Sequence, residues 1–586
     1  MEYRWSLKAL YEDFNDPAFA ADLKALEQTA EQLKVLTDGL EQMDATEALR
    51  QGILLEEKGF LLHNRLNRFA RLSRAADARN SEASSAIGRV DQAYGGMAGP
   101  RAAFYRWACT LPDLMQRVEQ DKILKEYGFL FARKQRESSH QLPGAGEELL
   151  AKLAPSGYKA WTALYSFSTG SVQVPWKDGT VSLPAICKMA WDPDRQVRKA
   201  AFEAELASYD KIRDAVAHCL NAQKLETLTE CQLRGYDSPL DMTLDSNKIS
   251  KKTLDAMFQT VREGLPVLQR YLKAKAKLLG YEGGLPWYDL FAPVGDSSRK
   301  YSVEEARDYL ISLFTEFDPQ EGQMMELAFR EKWIDFYPRA GKAGGATCYS
   351  IPAIGESRIN LNFGENFAGI KTLAHELGHA FHHLCIKSHR PLNKTYGMCL
   401  AETASNMNER VLFGAAIENA KTPEEKLALL EKDLASAAMS ICDIYSRFLF
   451  ESRVFENRRQ RFMSADTLAG FMMDAQKQAY GDGLDENCLH PYMWIQKSHY
   501  YGSTLYNYPY AFGELLSRGL YARYLREGKQ FVPKYKDFLY ATPVATAEDA
   551  AKVAGIDLTD RAFWQDAMGM LEEKVEQFCA LAEKER

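Results

Sequence analysis

Apolar residues recur at the spacing of a helix face in the middle of the chain. A capping box over Ser302–Glu305 precedes apolar residues between Ala306 and Phe314 that fall at helical spacing. A similar box returns at Thr422–Glu425, where Pro423 takes the first helical position. Both patterns predict a helix that begins at the box.

The first 200 residues are also predicted to form helices. They are rich in Ala, Leu, Glu, Lys and Arg, and few Pro or Gly residues interrupt them before Tyr94–Pro100. Turn-forming residues return at Leu142–Glu148 and at Val172–Pro184, where alternation around a Lys-Asp-Gly turn predicts a hairpin-like break. We place a domain boundary near residue 200, which gives an N-terminal helical domain, 1–200, and a second domain, 201–586.

One segment has the period of a strand instead. In residues 357–363 (SRINLNF) apolar side chains alternate with polar ones, a few residues after the Gly-rich stretch 341–350. This alternation is typical of a strand with one buried face. The predicted architecture is therefore mostly α, with a small sheet just upstream of a cluster of histidines.

Composition narrows the possible partners of this 586-residue chain. Apolar residues make up 46% and charged residues 26%, as in ordinary globular proteins, and the net charge of −7 gives no reason to expect nucleic acid or an anionic membrane. No apolar stretch approaches the roughly 20 residues that span a bilayer, and the first residues lack the apolar core of a secretory signal. We expect a cytoplasmic protein whose ten scattered cysteines are free thiols.

The histidine cluster lies in residues 371–383 (KTLAHELGHAFHH), which hold four of the ten histidines. With Asn366 as the N-cap and about 100° per residue, the apolar residues between 370 and 384 fall on one core-facing stripe of a helix. The histidines could be one polar face of an ordinary helix or part of a catalytic site.

The spacing within the cluster favours a metal site. His375 and His379 project from the side opposite the apolar stripe, one turn apart, where two imidazoles can bind one zinc ion. Glu376 lies about 100° further round, so it is predicted to reach a metal-bound water rather than the metal itself. Three more histidines are not predicted to be ligands. His382 is expected to lend a hydrogen bond nearby, and His383 and His389 are expected to lie at the surface or to support the ligands.

A catalytic zinc needs a third protein ligand and one open position. The first acidic residue after His379 is Glu402. An aminopeptidase-like spacing would fall on Met398, and the metzincin pattern would need Gly and His where the chain has His382 and Cys385. Glu402 is therefore the predicted ligand. The residues predicted to orient the ligands are Ser405, Asn406 and Glu409.

A second group of candidate residues lies in residues 499–513 (HYYGSTLYNYPYAFG). His499 is followed by five tyrosines within eleven residues. Tyrosines pack well at half-buried positions, so an aromatic core is one interpretation. The other is that imidazole and phenol groups donate hydrogen bonds to the oxyanion of a tetrahedral intermediate.

Together these motifs resemble the oligoendopeptidase F and thimet-oligopeptidase family of zinc metallopeptidases, and oligoendopeptidase F most closely. The resemblance runs nearly end to end. It implies a two-lobed helical clamshell with a deep channel that admits short peptides. The segments that carry it are YRWSLKALYEDFNDPAF, DPDRQVRKAAFEA, YPRAGKAGGATCYS, HELGHAFHH, LAETASNMNE and the His-Tyr string.

The resemblance also implies roles for individual residues. The chain departs from the family's tyrosine pattern between Gly502 and Pro509, so Tyr506 and Tyr508 stay open as alternatives to Tyr510. The chain also departs from the family at GKAGGA, which replaces a more basic, Ser-containing stretch. This departure affects the substrate contacts expected near residues 344 and 345. The implied residues are the zinc ligands His375, His379 and Glu402, the general base Glu376, and the transition-state donors His499 and Tyr510.

The predicted function is a zinc-dependent endopeptidase that cleaves internal bonds of short peptides with water activated by Glu376. The strand Arg358–Phe363 is expected to bind the substrate backbone along a free edge. A zinc carboxypeptidase or dipeptidase of the same fold is the alternative. A peptide-binding protein without activity is disfavoured because it would have no use for Glu376, and a structural zinc site usually has four protein ligands rich in Cys.

Overall fold

The computed structural model describes residues 3–295 and 299–584. Contacts divide the chain into two compact units, each built from separate stretches of sequence. Unit 1 comprises Met1–Ser139, Ser298–Leu412 and Arg523–Ile556, and unit 2 comprises His140–Ser297, Phe413–Ala522 and Asp557–Arg586. This division differs from the boundary near residue 200, which falls inside a helix. The assignment of separate roles to 1–200 and 201–586 stays a prediction.

Unit 1 begins with helices whose starts are fixed by acidic N-caps. Asp16 accepts a hydrogen bond from the Ala18 N–H, and Asp44 accepts one from the Glu47 N–H. Their apolar faces meet in one core that includes Leu33. The helices of this stretch are α1 (Pro17–Asp38), α2 (Ala45–Ala76), α3 (Ser81–Gly95), α4 (Ala98–Thr110), α5 (Leu114–Gln120), α6 (Lys122–Lys125) and α7 (Gly128–Ser138).

Unit 2 begins with helices around a short hairpin. The predicted break at 172–184 is confirmed as two antiparallel strands that pair Gln173 with Ser182. The elements are α8 (Gly144–Leu153), α9 (Tyr158–Gly170), β1 (Gln173–Trp176), β2 (Gly179–Ser182), α10 (Leu183–Cys187), α11 (Arg195–Tyr209), α12 (Arg213–Leu233), α13 (Pro239–Asn247) and α14 (Lys251–Leu278).

The chain then returns to unit 1, where the capping box at Ser302 and Glu305 is confirmed by both of its hydrogen bonds. This stretch carries the small sheet and the histidine helix. The elements are α15 (Val303–Phe317), α16 (Pro319–Arg330), β3 (Ile334–Asp335), β4 (Thr347–Ile351), β5 (Glu356–Asn360), α17 (Phe367–Cys385), α18 (Met398–Ala401) and α19 (Thr403–Glu418).

The remaining helices complete both units. Thr422 caps α20 as predicted, but Glu425 accepts from the Lys421 N–H instead of closing the box. The elements are α20 (Pro423–Ala438), a π-helical turn (Met439–Asp443), α21 (Ile444–Arg458), α22 (Ala465–Tyr480), α23 (Met493–Gln496), α24 (His499–Gly502), α25 (Tyr508–Glu527), α26 (Phe531–Ala541), α27 (Ala547–Val553) and α28 (Arg561–Ala582).

Buried ion pairs tie the long helices of unit 2 together. Lys275 on α14 lies 2.6 Å from Glu431 on α20. Asp433, two residues after Glu431 on α20, pairs with Arg518 on α25 at 2.8 Å and with Lys574 on α28. Because an unpaired charge would be costly here, these contacts fix which helices are neighbours.

The three-stranded sheet of unit 1 corrects one expectation. Its order is β3-β5-β4, so β5 is the central strand and the prediction that the strand Arg358–Phe363 offers a free edge is wrong. The sequence pattern shows that a strand is buried but does not show which neighbours pair with it. The outer side of β3 is covered, since the Phe336 N–H donates to the Tyr3 carbonyl. β4 has no further strand beside it among the described residues.

Two expectations from composition can be compared with the structure. All ten cysteines are free thiols, as predicted. Over residues 3–295 and 299–584, no helix combines the length and apolarity needed to cross a bilayer.

Candidate metal centre

The helix α17 presents the histidine cluster of unit 1. Asn366 caps it by accepting a hydrogen bond from the Gly369 N–H at 3.0 Å. The apolar stripe is buried as predicted, with Ile370, Leu373 and Phe381 fully inaccessible. This burial fixes the rotation of the helix, so the opposite face carries His375 and His379 outward.

Three predicted ligands meet at that face. The Oε2 atom of Glu402 lies 3.2 Å from Nε2 of His375 and 3.4 Å from Nε2 of His379. One ligand atom from each residue lies within 4.8 Å of the other two. The imidazole rings are nearly perpendicular, with centroids 5.0 Å apart. Two imidazole nitrogens and one carboxylate oxygen form a donor set that suits zinc and leaves a fourth position open.

A second carboxylate holds the first histidine. Oε1 of Glu409 lies 2.8 Å from Nδ1 of His375, so the ring presents Nε2 towards Glu402. Burial lowers the pKa of His375, but the hydrogen bonds with the two carboxylates outweigh it and raise that pKa to about 10. Burial acts to raise the pKa of Glu409, yet Lys371, His375 and Arg410 hold it well below its usual value.

The third predicted ligand, Glu402, is oriented by a residue in the first turn of α19. Glu402 directly follows α18, and the Ser405 hydroxyl donates to its Oε2 at 2.9 Å. Burial favours the neutral form of Glu402, but hydrogen bonds with His375 and His379 bring its pKa well below the usual range. Ser405 and Glu409 contact the predicted ligands through their side chains, whereas Asn406 donates its backbone N–H to the Glu402 carbonyl at 3.0 Å.

Two features that hold α17 against α19 were not predicted. A Cβ atom on Gly378 would lie 2.6 Å from the Ala404 carbonyl oxygen, so only glycine allows this close approach. Asn408 donates to the Ala374 carbonyl at 3.2 Å and to Oε1 of Glu321 at 2.8 Å. A glycine between the metal-site histidines and an Asn beside Glu409 were visible in the sequence, but their packing partners were not.

Glu376 lies on the same helix and is 5% exposed. Its Oε2 atom is buried and accepts no hydrogen bond within the described ranges. Burial raises the pKa of Glu376, while His375 and His379 oppose that rise and the Cys348 backbone N–H donates to the carboxylate. A carboxylate with one unsatisfied oxygen and a raised pKa is suited to exchanging protons.

The other histidines of the cluster have structural partners. Nε2 of His382 lies 2.8 Å from the Thr542 hydroxyl, and its ring stacks on Tyr396. His383 contacts the Ser357 hydroxyl at 3.0 Å, and His389 stacks on Tyr540. None of these contacts involves the three candidate ligands.

The His-Tyr string lies in unit 2, where it forms a group of three rings. The ring centroid of His499 lies 5.1 Å from that of Tyr506 and 6.0 Å from that of Tyr510. Tyr508 is placed differently, because its hydroxyl accepts a hydrogen bond from Asn247 on α13 at 2.8 Å. The structure therefore groups His499 with Tyr506 and Tyr510, and not with Tyr508.

Two family models match this chain. Residues 188–570 match the family model described as peptidase family M3, and residues 112–173 match the one described as oligopeptidase F. The first match alone covers well over half of the chain and contains both groups of candidate residues. The chain belongs to peptidase family M3. The resemblance to oligoendopeptidase F is thereby confirmed, and family membership supports a peptidase activity.

Individual relatives of this M3 chain span nearly its whole length. Oligopeptidase PepF of Bacillus subtilis is 25% identical over 595 residues, which cover 98% of this chain and 87% of that protein. A crystal structure of a candidate peptidase from Chlamydophila abortus superposes with a TM-score of 0.87 at 21% identity and covers 99% of this chain and 98% of that one. Oligoendopeptidase-F of Enterococcus faecium gives a TM-score of 0.72 at 19% identity, with 97% and 99% covered. The mostly helical fold with small sheets is therefore that of oligoendopeptidase F structures.

The contact between Glu409 and His375 leads to a prediction for this M3 chain. Replacing Glu409 with Gln should weaken metal binding roughly 10- to 100-fold, since the carboxylate that orients the His375 ring loses its charge. Competition with a chromophoric chelator measures the affinity. Glu326→Gln, an exposed change on α16, is the matched control. Equal affinities in Glu409→Gln and the control would contradict the orienting role.

Proposed function

We propose that this chain is a zinc-dependent endopeptidase that hydrolyses internal bonds of short oligopeptides. One observation carries the proposal: three metal-ligating atoms of His375, His379 and Glu402 lie within 4.8 Å of one another, beside the buried, unsatisfied carboxylate oxygen of Glu376. Family membership supplies the peptidase chemistry, and this geometry supplies the residues for it.

The donor set fits a catalytic zinc. His375 and His379 would offer their Nε2 atoms and Glu402 one carboxylate oxygen, so three protein ligands would leave a position for substrate or solvent. Zinc, when bound, supplies a Lewis acid that polarises the scissile carbonyl and acidifies water. With a metal bound, the Nδ1–H group of His375 would donate to Glu409, which would leave Nε2 for the metal.

Glu376 is assigned the proton transfers. Its free oxygen accepts a proton from the attacking water, and the same carboxyl then delivers that proton to the nitrogen of the leaving amine. The burial that raises its pKa favours both halves of this transfer, because the group must be a base first and an acid afterwards. The Cys348 N–H fixes the carboxylate while its second oxygen stays available.

The free edge of β4 is the surface that suits the substrate backbone. The backbone N–H groups of Ile359 in β5 and of Leu361 just after it donate hydrogen bonds on the side of β3. The backbone groups of the intervening residues of β5 therefore face β4. The outward backbone groups of β4 therefore belong to Cys348 and Ser350. Arg68 already donates to the Ser350 carbonyl at 3.0 Å, which leaves the Ser350 N–H and the Cys348 carbonyl for an added peptide strand.

The oxyanion donors are assigned from the resemblance to the family. His499 and Tyr510 would donate hydrogen bonds to the oxyanion, with Tyr506 as the alternative donor beside them. Replacing Tyr510 with Phe should then lower kcat roughly 10²- to 10³-fold with little change in KM, because this donor acts mainly in the transition state. Steady-state kinetics on a short quenched peptide measures both constants.

Two further variants identify which tyrosine acts. Tyr508→Phe is the matched control, since the Tyr508 hydroxyl contacts Asn247 and should affect stability more than kcat. Tyr506→Phe tests the alternative donor. A large loss of kcat in Tyr506→Phe, with Tyr510→Phe near the wild type, would reassign the role.

The cleavage pattern tests the proposed activity itself. Peptides of about ten residues with both ends blocked should still be cut at an internal bond, and mass spectrometry of the products shows where. Trimming of single residues or dipeptides from one free end, with blocked peptides left intact, would instead identify an exopeptidase. No cleavage of any peptide by the metal-loaded protein would contradict the proposal.

A further inference from the structure

Unit 2 contains a cavity of about 600 Å³ that the proposed chemistry does not use. Its walls come from α9, α10, α11, the π-helical turn Met439–Asp443 and the segment 493–498, and all of its lining residues belong to unit 2. Such π-helical turns are frequent at functional sites. The volume is sufficient for one or two amino-acid residues of a ligand.

One wall of the cavity is apolar and aromatic. Trp191 stacks on Phe291 with ring centroids 4.7 Å apart, and Trp191 remains 55% exposed. Leu183, Ile186 and Phe202 extend the same wall. An exposed tryptophan at the mouth of an apolar cavity offers a large contact surface to an apolar side chain.

Most charged groups of the cavity are already neutralised. The Arg198 guanidinium donates to Asp289 at 2.8 Å, and Arg447 forms a buried ion pair with Asp443. Glu205 accepts hydrogen bonds from Gln496 at 2.9 Å and from other neighbours. These groups therefore have partners without any ligand.

The half-buried cation Lys497 lines the cavity without a partner among the described residues. The Lys497 ammonium makes no hydrogen bond or ion pair among residues 3–295 and 299–584. Burial lowers the pKa of Lys497 and Arg447 adds to this, while the charges of Asp443 and Glu205 oppose the shift. An unpaired ammonium favours an anionic ligand.

The cavity is next to a residue of the proposed active site. Ser498 lines it, and His499 follows directly in the chain. Burial lowers the pKa of His499, and the positive charges of Arg447 and Lys497, both of which line the cavity, lower it further. A peptide bound at His499 would therefore have the cavity within reach of its neighbouring residues.

We propose that this cavity binds the C-terminal residue of a peptide substrate, with its carboxylate paired to Lys497 and its apolar side chain against Trp191. This assignment rests on the proposed peptidase function. It would make the distance from the C-terminus decide which bond is cut. An apolar residue with a free carboxylate is the ligand chemistry that suits both the unpaired ammonium of Lys497 and the aromatic wall.

The first experiment measures binding without catalysis. Calorimetric titration of the full chain with N-acetyl-L-leucine and with its amide should show that the acid binds at least about tenfold more tightly, because only the acid forms the charge-assisted pair. In Lys497→Met this preference should fall below about twofold. Lys199→Met, an exposed change on α11, should keep it. Equal binding of acid and amide to the wild type would overturn the proposal even if Lys497→Met failed to fold.

The second experiment asks whether the carboxylate belongs to a peptide. Peptides that share a C-terminal sequence and lengthen at the N-terminus should be cut at the same bond, and C-terminal amidation should raise KM about tenfold or more. A cut that keeps a fixed distance from the N-terminus, or amidation without effect, would overturn the assignment even if N-acetyl-L-leucine binds. If no peptide is cut at all, the proposed peptidase function fails, and the titration alone decides whether the cavity binds a carboxylate.

Discussion

Replacing Glu376 with Gln should reduce kcat roughly 10²- to 10⁴-fold, the range in which a positioned general base contributes. Gln has nearly the same size as Glu but cannot take a proton from water. The three candidate ligands are unchanged, so the variant should still bind one metal ion per chain. Cleavage of a short quenched peptide and the metal content of the same sample measure the two effects.

The matched control for this variant is Glu326→Gln, which changes an exposed glutamate of α16 in the same way. It should keep both activity and metal. Full peptidase activity in Glu376→Gln would remove Glu376 from the mechanism. Loss of metal in that variant would show that this carboxylate is a ligand instead, contrary to the geometry in which Glu402 is the oxygen shared between the two imidazoles.

Replacing Glu402 with Gln should have the complementary effect. A carboxamide is a poor ligand for zinc, and two imidazoles alone leave the ion weakly held, so most of the metal should be lost on dialysis and activity with it. Mass spectrometry of metal per chain measures the loss. Circular dichroism should show unchanged helix content, because Glu402 lies between two helices and not in their cores.

The pair of variants therefore separates two roles. Glu376→Gln is expected to be inactive with metal bound, and Glu402→Gln inactive without it. Should Glu402→Gln retain a full equivalent of tightly bound metal, the third ligand has been assigned to the wrong residue.

The helix of the candidate metal site could be predicted from sequence because its determinants are local. Asn366 at the cap, the apolar stripe and the one-turn spacing of His375 and His379 all lie within one helix, where 3.6 residues per turn relates position to direction. Glu402 could be selected by elimination, since it is the first acidic residue after His379.

Other features depend on contacts between distant segments, which sequence patterns do not contain. Alternation in 357–363 predicted a strand, but its central place in the sheet depends on pairing with β3 and β4. The close approach at Gly378 and the role of Asn408 depend on how α17 packs against α19. The two compact units are likewise formed by stretches hundreds of residues apart, so no local change in composition marks their limits.

The tyrosines show the same limit on a smaller scale. Tyr506, Tyr508 and Tyr510 are equivalent in composition, and all three follow His499 within eleven residues. The contacts of the Tyr508 hydroxyl with Asn247 and Thr243, on a helix far away in sequence, distinguish it from the other two.

The most direct test is X-ray diffraction from crystals of the protein as purified, recorded on both sides of the zinc absorption edge. One anomalous peak should lie at about 2.0 to 2.2 Å from Nε2 of His375, Nε2 of His379 and a carboxylate oxygen of Glu402. A peak bound by other residues would contradict the account. So would zinc-supplemented crystals that contain no ion and in which Glu402 points away from both imidazoles.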